Sequence, residues 1–304
     1  MAIRHAAARE GQTVHGASRL AQYANLVRLP HTVFALPFAL VGVVFASYVA
    51  PVRASAVGWA IVAFTAARFA AMGFNRIADR AYDAGNPRTA TRELPSGTLA
   101  VREAAAAVAV ASVVFIVAAW RLNPLCLALA PFALVWVLFY SLTKRFTRWS
   151  HLALGLGMGI APVGGYLAVA GGWSEPRWLL AALAAAVLTW GAGFDVLYAM
   201  QDIEFDRANR LHSIPAAYGI RRSLWISRGL HLATLGLLAA VVAAAKGAAG
   251  AVSWAGVGVV AVLLAYEHSL VTPDDQSRLD AAFFTMNGVI SIVFFLFVLA
   301  DRVA

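Results

Sequence analysis

Nine uninterrupted apolar runs of similar length govern what this chain can fold into. They lie near residues 32–50, 55–74, 103–120, 123–141, 152–171, 177–199, 224–245, 248–267 and 281–300 of a 304-residue sequence. A helix rises 1.5 Å per residue, so roughly 20 apolar residues cross the hydrocarbon core of a bilayer. The runs are continuous rather than alternating, which argues against barrel strands. Only 13% of residues are charged and 61% are hydrophobic, whereas a soluble domain carries about 25% charged residues. The predicted fold class is an all-α integral membrane protein with nine transmembrane helices.

The loops predict the orientation. With the N-terminus placed on the cytoplasmic side, 18 Lys and Arg fall on inside segments and 5 on outside segments, with Arg68 inside the second run. This positive-inside bias predicts a cytoplasmic N-terminus and an outside C-terminus. The domain reading is a cytoplasmic segment over residues 1–25 and one transmembrane domain over 26–304. The net charge of +9 then belongs mainly to the cytoplasmic face, where it suits anionic headgroups and anionic substrates. No soluble basic domain is present to hold nucleic acid. The first thirty residues are polar and basic and show no cleavable signal peptide. Cys126 is the single cysteine and is expected to serve packing. The run "GLGMGIAPVGG" offers small residues for close helix contact.

Nearly all the acid also falls inside, in two clusters. The first, "FNRIADRAYDAGNPRTATRELPSG", follows the second run. The other, "DVLYAMQDIEFDRANRLHSIPAAYG", follows the sixth. Shifted by 123 residues, "DRAYDAGN" lies over "DIEFDRAN", pairing Asp79 with Asp202 and Asp83 with Asp206. Both clusters end an even-numbered run, as expected where two related bundles meet at a shared site. Positions i and i+4 share a helix face. Asn75, Asp79 and Asp83 therefore form one stripe, continued by Arg68 seven residues earlier. Asp202 and Asp206 form another, with Asp195 and Tyr198 further back. A carboxylate at membrane depth costs about 2.5–3.5 kcal/mol, so five of them need compensation. Arginine neighbours supply part of it, and a hard divalent cation supplies more. Oxygen ligands without His or Cys favour Mg²⁺. Such an ion completes its shell with water and substrate phosphates, and the surrounding Arg and Lys residues grip the remaining oxygens. A lipid diphosphate fits both greasy walls and a charged mouth. The chemistry is ionisation of an allylic C–O bond. The allyl cation is shielded from water and supported by aromatic faces, for which Phe34, Phe38, Tyr140 and Tyr198 are candidates.

These motifs resemble those of the UbiA family of membrane aromatic prenyltransferases. "NRIADRAYD" is similar to its NxxxDxxxD motif and "DIEFD" to its DxxxD motif. "YSLTKRFT" resembles the stretch between them that carries a Tyr and a Lys-Arg pair. The resemblance runs from about residue 25 onward. It implies a nine-helix bundle around a central cavity. Asn75, Asp79 and Asp83 would hold one Mg²⁺, and Asp202 and Asp206 a second. Arg88, Lys144 and Arg145 would bind diphosphate, with Asp195 and Tyr198 lining the cavity. "RLPHTVFALPFAL", "NPRTATRELPSG", "RLHSIPAAYG" and "YEHSLVTPDD" look like the branch acting on 4-hydroxybenzoate or on the naphthoate of the futalosine menaquinone route. The sequence departs from that branch at Arg210, where a glycine is expected, and from the ubiquinone enzymes at His212, where a Lys is commoner. The activity implied is Mg²⁺-dependent transfer of a polyprenyl group from polyprenyl diphosphate to an aromatic acid in quinone biosynthesis, at the cytoplasmic face of a bacterial-type inner membrane.

Further candidates surround this set. Arg28 and His31, at the mouth of the first run, are placed to bind an aromatic carboxylate or simply to sit at the interface. Arg92 accompanies Arg88 in the loop expected to close over the headgroup, and His212 binds phosphate or caps a helix. Asn287 reads as a hydrogen-bonding contact between helices, and Glu267 and His268 as a solvated helix end. A cation-coupled transporter is the rival class, but transporters place such groups near the midplane on broken helices. The DGxxAR signature of alcohol phosphotransferases is absent.

Overall fold

The computed structural model describes residues 18–28, 32–174, 176–245, 250–279 and 285–304, with the side chains of 32–34 left aside. Among the described residues the regular elements are all helices, in the order α1 (Arg19–Leu26), α2 (Thr32–Ala46), α3 (Ala54–Gly85), α4 (Val101–Leu122), α5 (Pro124–Thr143), α6 (Ser150–Ala170), α7 (Trp178–Ala199), α8 (Ile203–Ala208), α9 (Ile214–Ala244), α10 (Ala251–Ser269) and α11 (Asn287–Val303). A three-residue 3₁₀ turn over Met200–Asp202 joins α7 to α8. Seven helical stretches are long and apolar enough to cross a bilayer, with α7, the turn and α8 counted as one. The first and last predicted runs correspond to α2, with 15 described residues, and α11, with 17, each beginning beside residues outside the described set.

Local sequence sets several boundaries. Asn123 caps α5 by accepting the Cys126 N–H at 2.8 Å, and Pro124 sits where no N–H is needed. The Asn123 amide donates across to the Leu167 carbonyl at 2.8 Å, pinning α5 to the end of α6. Ser213 caps α9 by accepting the Ala216 N–H, again with proline in the first turn.

The small residues of α6 do what their pattern predicts. A Cβ at Gly155 would strike the Leu188 carbonyl on α7, and one at Gly165 would strike the Ala39 carbonyl on α2. Helix α6 is thus wedged between α7 and α2 at backbone contact. Below this wedge Phe38, Trp190 and Phe194 stack, with Phe38–Trp190 centroids 4.8 Å apart and Trp190–Phe194 5.0 Å, and Phe294 of α11 closes the cluster. Phe38 is therefore core, only 1% exposed, and not a face offered to a cation; that expectation is corrected. Phe34 has no described side chain. The outer faces of α4 and α5 carry exposed Val113, Trp120, Phe132 and Val135, an apolar surface of the kind lipid covers.

The first acidic cluster sits where the pattern puts it. Helix α3 runs unbroken for 32 residues, so Arg68, Asn75, Asp79 and Asp83 share one stripe. The second cluster differs from expectation. The 3₁₀ turn interrupts the helix after Ala199, and Asp202 adopts φ −106°, ψ 10° as the residue before α8. Asp195 and Tyr198 thus belong to one helix and Asp206 to another.

Candidate active site

The stripe on α3, the end of α5, the start of α6 and the α7–α8 junction enclose a cavity of about 820 Å³. Its wall is largely apolar, with Phe64, Phe115, Trp136 and Phe194 among the lining residues, and its polar groups come from both acidic clusters.

The two clusters are stitched together by the loop after α3. Asn86 accepts the Arg88 N–H on its side-chain oxygen at 3.0 Å, an Asx turn that suits the Asn-Pro-Arg sequence. This turn aims the Arg88 side chain across the cavity. Its guanidinium takes Asp202 in a two-pronged grip, Nε to Oδ1 at 3.2 Å and Nη2 to Oδ2 at 2.5 Å, while Nη1 donates to the Tyr198 hydroxyl at 2.7 Å. The Asn86 amide adds a 2.9 Å bond to Asp202 Oδ1. From the same loop, Arg92 donates to Asp83 Oδ1 at 2.7 Å. Buried Leu94 and Leu99 anchor the loop in a cluster with Leu26.

Asp79 has its own cations. Lys144 at the end of α5 lies 3.0 Å from Oδ2, and Arg145 Nη2 lies 3.7 Å from Oδ1 while donating to the Ala78 carbonyl at 2.6 Å. Asn75 donates to Asp79 Oδ2 at 3.1 Å. Asp206 accepts from Ser213 Oγ at 2.8 Å. The His212 N–H donates to the Lys144 carbonyl at 2.7 Å, tying the stretch after α8 to the Lys-Arg pair.

Asn75, Asp79, Asp83, Arg88, Arg92, Tyr140, Lys144, Asp195, Tyr198, Asp202 and Asp206 all line the one cavity, and so do Arg28 and Arg68. Arg145 stands behind Asp79 and is not among the lining residues. The His212 side chain is exposed and away from the lining; its contribution here is through its backbone. His31 lies outside the described residues. Asn287 lines the cavity and also donates to Glu267 at 3.4 Å. Glu267 is fully buried rather than a solvated helix end. Sequence reading missed Asn86, Ser213 and His151. The first two carried a readable signal, a turn-forming Asn before proline and a helix-capping Ser. His151 carried none, because its partner Asp195 is 44 residues away.

The donor set suits a divalent ion. Two buried carboxylate oxygens accept no hydrogen bond: Asp79 Oδ1, which has only Arg145 at 3.7 Å, and Asp83 Oδ2, whose burial is costly unless a cation faces it. Among the described residues no group of three or more His, Cys, Asp or Glu is gathered closely enough to hold an ion alone. Pairs of carboxylates that leave most of the shell to water and phosphate fit Mg²⁺, a reluctantly dehydrated oxygen-seeking ion.

Comparison with known proteins places the chain in a family. The model of the UbiA prenyltransferase family matches residues 35–289. Similar proteins include the 4-hydroxybenzoate octaprenyltransferase of Aromatoleum aromaticum, 31% identical over 230 residues and 75% of each chain. That of Xanthomonas campestris is 32% identical over 235 residues and 76% of each chain. Among solved structures, the apo UbiA homolog from Aeropyrum pernix K1 superposes with TM-score 0.80 at 32% identity, covering 89% of this chain and 98% of that one. The UbiA homolog from Archaeoglobus fulgidus bound to DMAPP and Mg²⁺ shares the fold, with TM-score 0.69 at 20% identity over 93% and 99% of the two chains.

Proposed function

Because this chain belongs to the UbiA prenyltransferase family, we propose that it transfers a polyprenyl group from polyprenyl diphosphate to an aromatic acid of the 4-hydroxybenzoate type, in quinone biosynthesis. The observation that carries the reading is the Arg88 bridge. Two aspartate clusters 123 residues apart line one mainly apolar cavity, and Arg88, from the loop that follows the first, grips Asp202 of the second in the planar, two-pronged way it would also grip phosphate. The relatives from Aromatoleum and Xanthomonas are named for 4-hydroxybenzoate, and the Archaeoglobus neighbour holds a prenyl diphosphate with Mg²⁺.

Asn75, Asp79 and Asp83 would hold one Mg²⁺ and Asp202 and Asp206 a second, together neutralising the charge that builds on a departing diphosphate. Arg88, Arg92, Lys144 and Arg145 now rest on those carboxylates and turn to the phosphate oxygens when substrate arrives. The apolar wall keeps water from the allyl cation. Tyr198, with Arg88 over its ring at 5.0 Å, and Tyr140 offer aromatic faces beside it. Arg68 and Arg28 bring positive charge to the cavity wall and receive the acceptor's carboxylate. The prenyl tail leaves through a lateral opening between helices, and the site faces the cytoplasm, as the loop charges favour.

The test uses membranes carrying the protein, supplied with a polyprenyl diphosphate, Mg²⁺ and either 4-hydroxybenzoate or a dihydroxynaphthoic acid, with products identified by mass spectrometry. A prenylated 4-hydroxybenzoate is expected, and its loss on Asp79→Ala or Asp202→Ala substitution in protein that still inserts. Product from the naphthoic acid alone reassigns the acceptor. Full activity in both aspartate variants sinks the reading.

A further inference from the structure

His151 enters none of the roles above, yet it is one of the most tightly held side chains on the cavity wall. It stands in the first turn of α6 and is 3% exposed. Its Nε2 lies 3.2 Å from the Ile214 backbone nitrogen, and its Nδ1 lies 2.6 Å from Asp195 Oδ2. A backbone N–H can only donate, so Nε2 is the acceptor and carries no proton. The ring proton therefore sits on Nδ1 and is given to Asp195. One tautomer satisfies both bonds, the ring that carries its proton on Nδ1 and donates it to Asp195 Oδ2.

Asp195 differs from the other carboxylates lining the cavity. Asp79, Asp83 and Asp202 each face a Lys or Arg, and Asp206 is held by Ser213 beside the second cluster. Asp195 is met by a neutral imidazole, and its side chain remains 22% exposed. It sits one turn behind Tyr198 on α7, away from the Arg88 grip on Asp202. Tyr140 and Arg68 line the same cavity and are near enough to interact electrostatically with each other, as Tyr140 is with Asp195. An aromatic acid with its carboxylate at Arg68 would share this cavity with Asp195.

We infer that Asp195 accepts the hydroxyl proton of the aromatic acceptor, and that His151 is the positioning residue that fixes the carboxylate for this task. The inference rests on the aromatic-acid reading given above. The C1–O bond of the prenyl diphosphate breaks and its electron pair leaves with the diphosphate, and the ring carbon beside the C–OH carbon then bonds to C1 of the allyl cation. The hydroxyl proton passes to Asp195, and the ring becomes a neutral dienone instead of a cation. Loss of the ring C–H proton to the released diphosphate, with return of the Asp195 proton to oxygen, restores the phenol. The Ile214 N–H that orients His151 directly follows Ser213, the residue that holds Asp206. One short stretch of backbone thus sets both the diphosphate half of the site and the acceptor half.

The experiment compares His151→Ala, His151→Asn and Asp195→Asn with the unaltered protein in membranes, using 4-hydroxybenzoate and a ring-fluorinated analogue whose hydroxyl is more acidic. The asparagine amide can replace the Nδ1 donor at nearly the same place. Expected are an unchanged KM for polyprenyl diphosphate and a kcat with 4-hydroxybenzoate lowered about 10²-fold by Asp195→Asn and His151→Ala. Most of the His151→Ala loss should return in His151→Asn, and the deficit should shrink with the fluorinated acceptor. A purely structural role predicts equal losses on both acceptors and a changed KM for the diphosphate; that result overturns the inference, as does full activity in all three variants. Absence of product from the unaltered protein with either acid instead overturns the reading beneath it.

Discussion

Arg88 shows how much one side chain can be asked to do. It is 5% exposed, bonds to Asp202 through two nitrogens and reaches Tyr198 with a third. Lysine keeps the charge but offers a point instead of a fork. Arg88→Lys should therefore insert and fold while losing at least about tenfold in kcat/KM for the diphosphate, measured with acceptor saturating. Wild-type kinetics in that variant would show that charge alone suffices. Arg210 makes the opposite point. Its φ is 54°, in the left-handed region that costs a non-glycine residue about 1–2 kcal/mol, at the position where related sequences lead one to expect glycine. Arg210→Gly relieves that strain against an entropic loss of about 0.5–1 kcal/mol. The net expectation is unchanged or slightly raised thermal stability in detergent, with activity retained; a clear fall in the melting temperature would mean the arginine side chain supplies something its exposed position does not show.

At the scale of elements, what the sequence disclosed depended on whether local or distant forces set the geometry. The α3 stripe was legible because a continuous helix places Asn75, Asp79 and Asp83 on one face by its period alone. The break at Met200–Asp202 was not, since no Gly or Pro marks it. There the carboxylate at the N-cap position of α8 makes no cap bond and is engaged by Arg88 and Asn86 from another part of the chain. His151 was hidden for the same reason, being one polar residue ahead of an apolar run whose partners lie on α7 and at the start of α9. The glycines of α6 were legible in kind, though not in their partners. A matched pair tests them. A Cβ at Gly159 would lie 2.6 Å from the Ala184 carbonyl, while one at Gly236 on α9 would meet nothing within 4 Å. Gly159→Ala should destabilise by about 1–3 kcal/mol through overpacking, and Gly236→Ala should stabilise by about 0.5–1 kcal/mol through helix propensity. Equal effects in a detergent unfolding series would show that α6 and α7 can part without cost.

For the whole molecule, the open matter is how α2 and α11 sit in the bilayer. Both begin beside residues outside the described set, 29–31 before α2 and 280–284 just ahead of α11, so their 15 and 17 described residues do not measure the length each offers to a hydrocarbon core of about 30 Å. Both carry the central packing. Phe38 of α2 and Phe294 of α11 meet around Trp190 of α7, and Arg302 at the end of α11 donates to the Ser47 hydroxyl beyond α2 at 2.7 Å. The ends of these two helices thus share one side of the molecule, Ala46 with Val303. If both cross, the spans number nine, an odd count, and the termini face opposite compartments. If one of them only enters and the other crosses, the count is even and both termini share a side. Loop charge favours the first arrangement, with the aspartate clusters on the side of the N-terminus. Cysteine labelling decides it. On a Cys126→Ser background, a single cysteine at Ala8 should be shielded from a membrane-impermeant maleimide in intact cells, and one at Ala304 should react. One at Arg80, beside the first cluster, should follow Ala8. Labelling of Ala8 and Ala304 from the same side would remove one of these two helices from the spanning set. Labelling at Arg80 in intact cells would invert the molecule and place the diphosphate-binding end outside, where a cytoplasmic supply of polyprenyl diphosphate could not reach it.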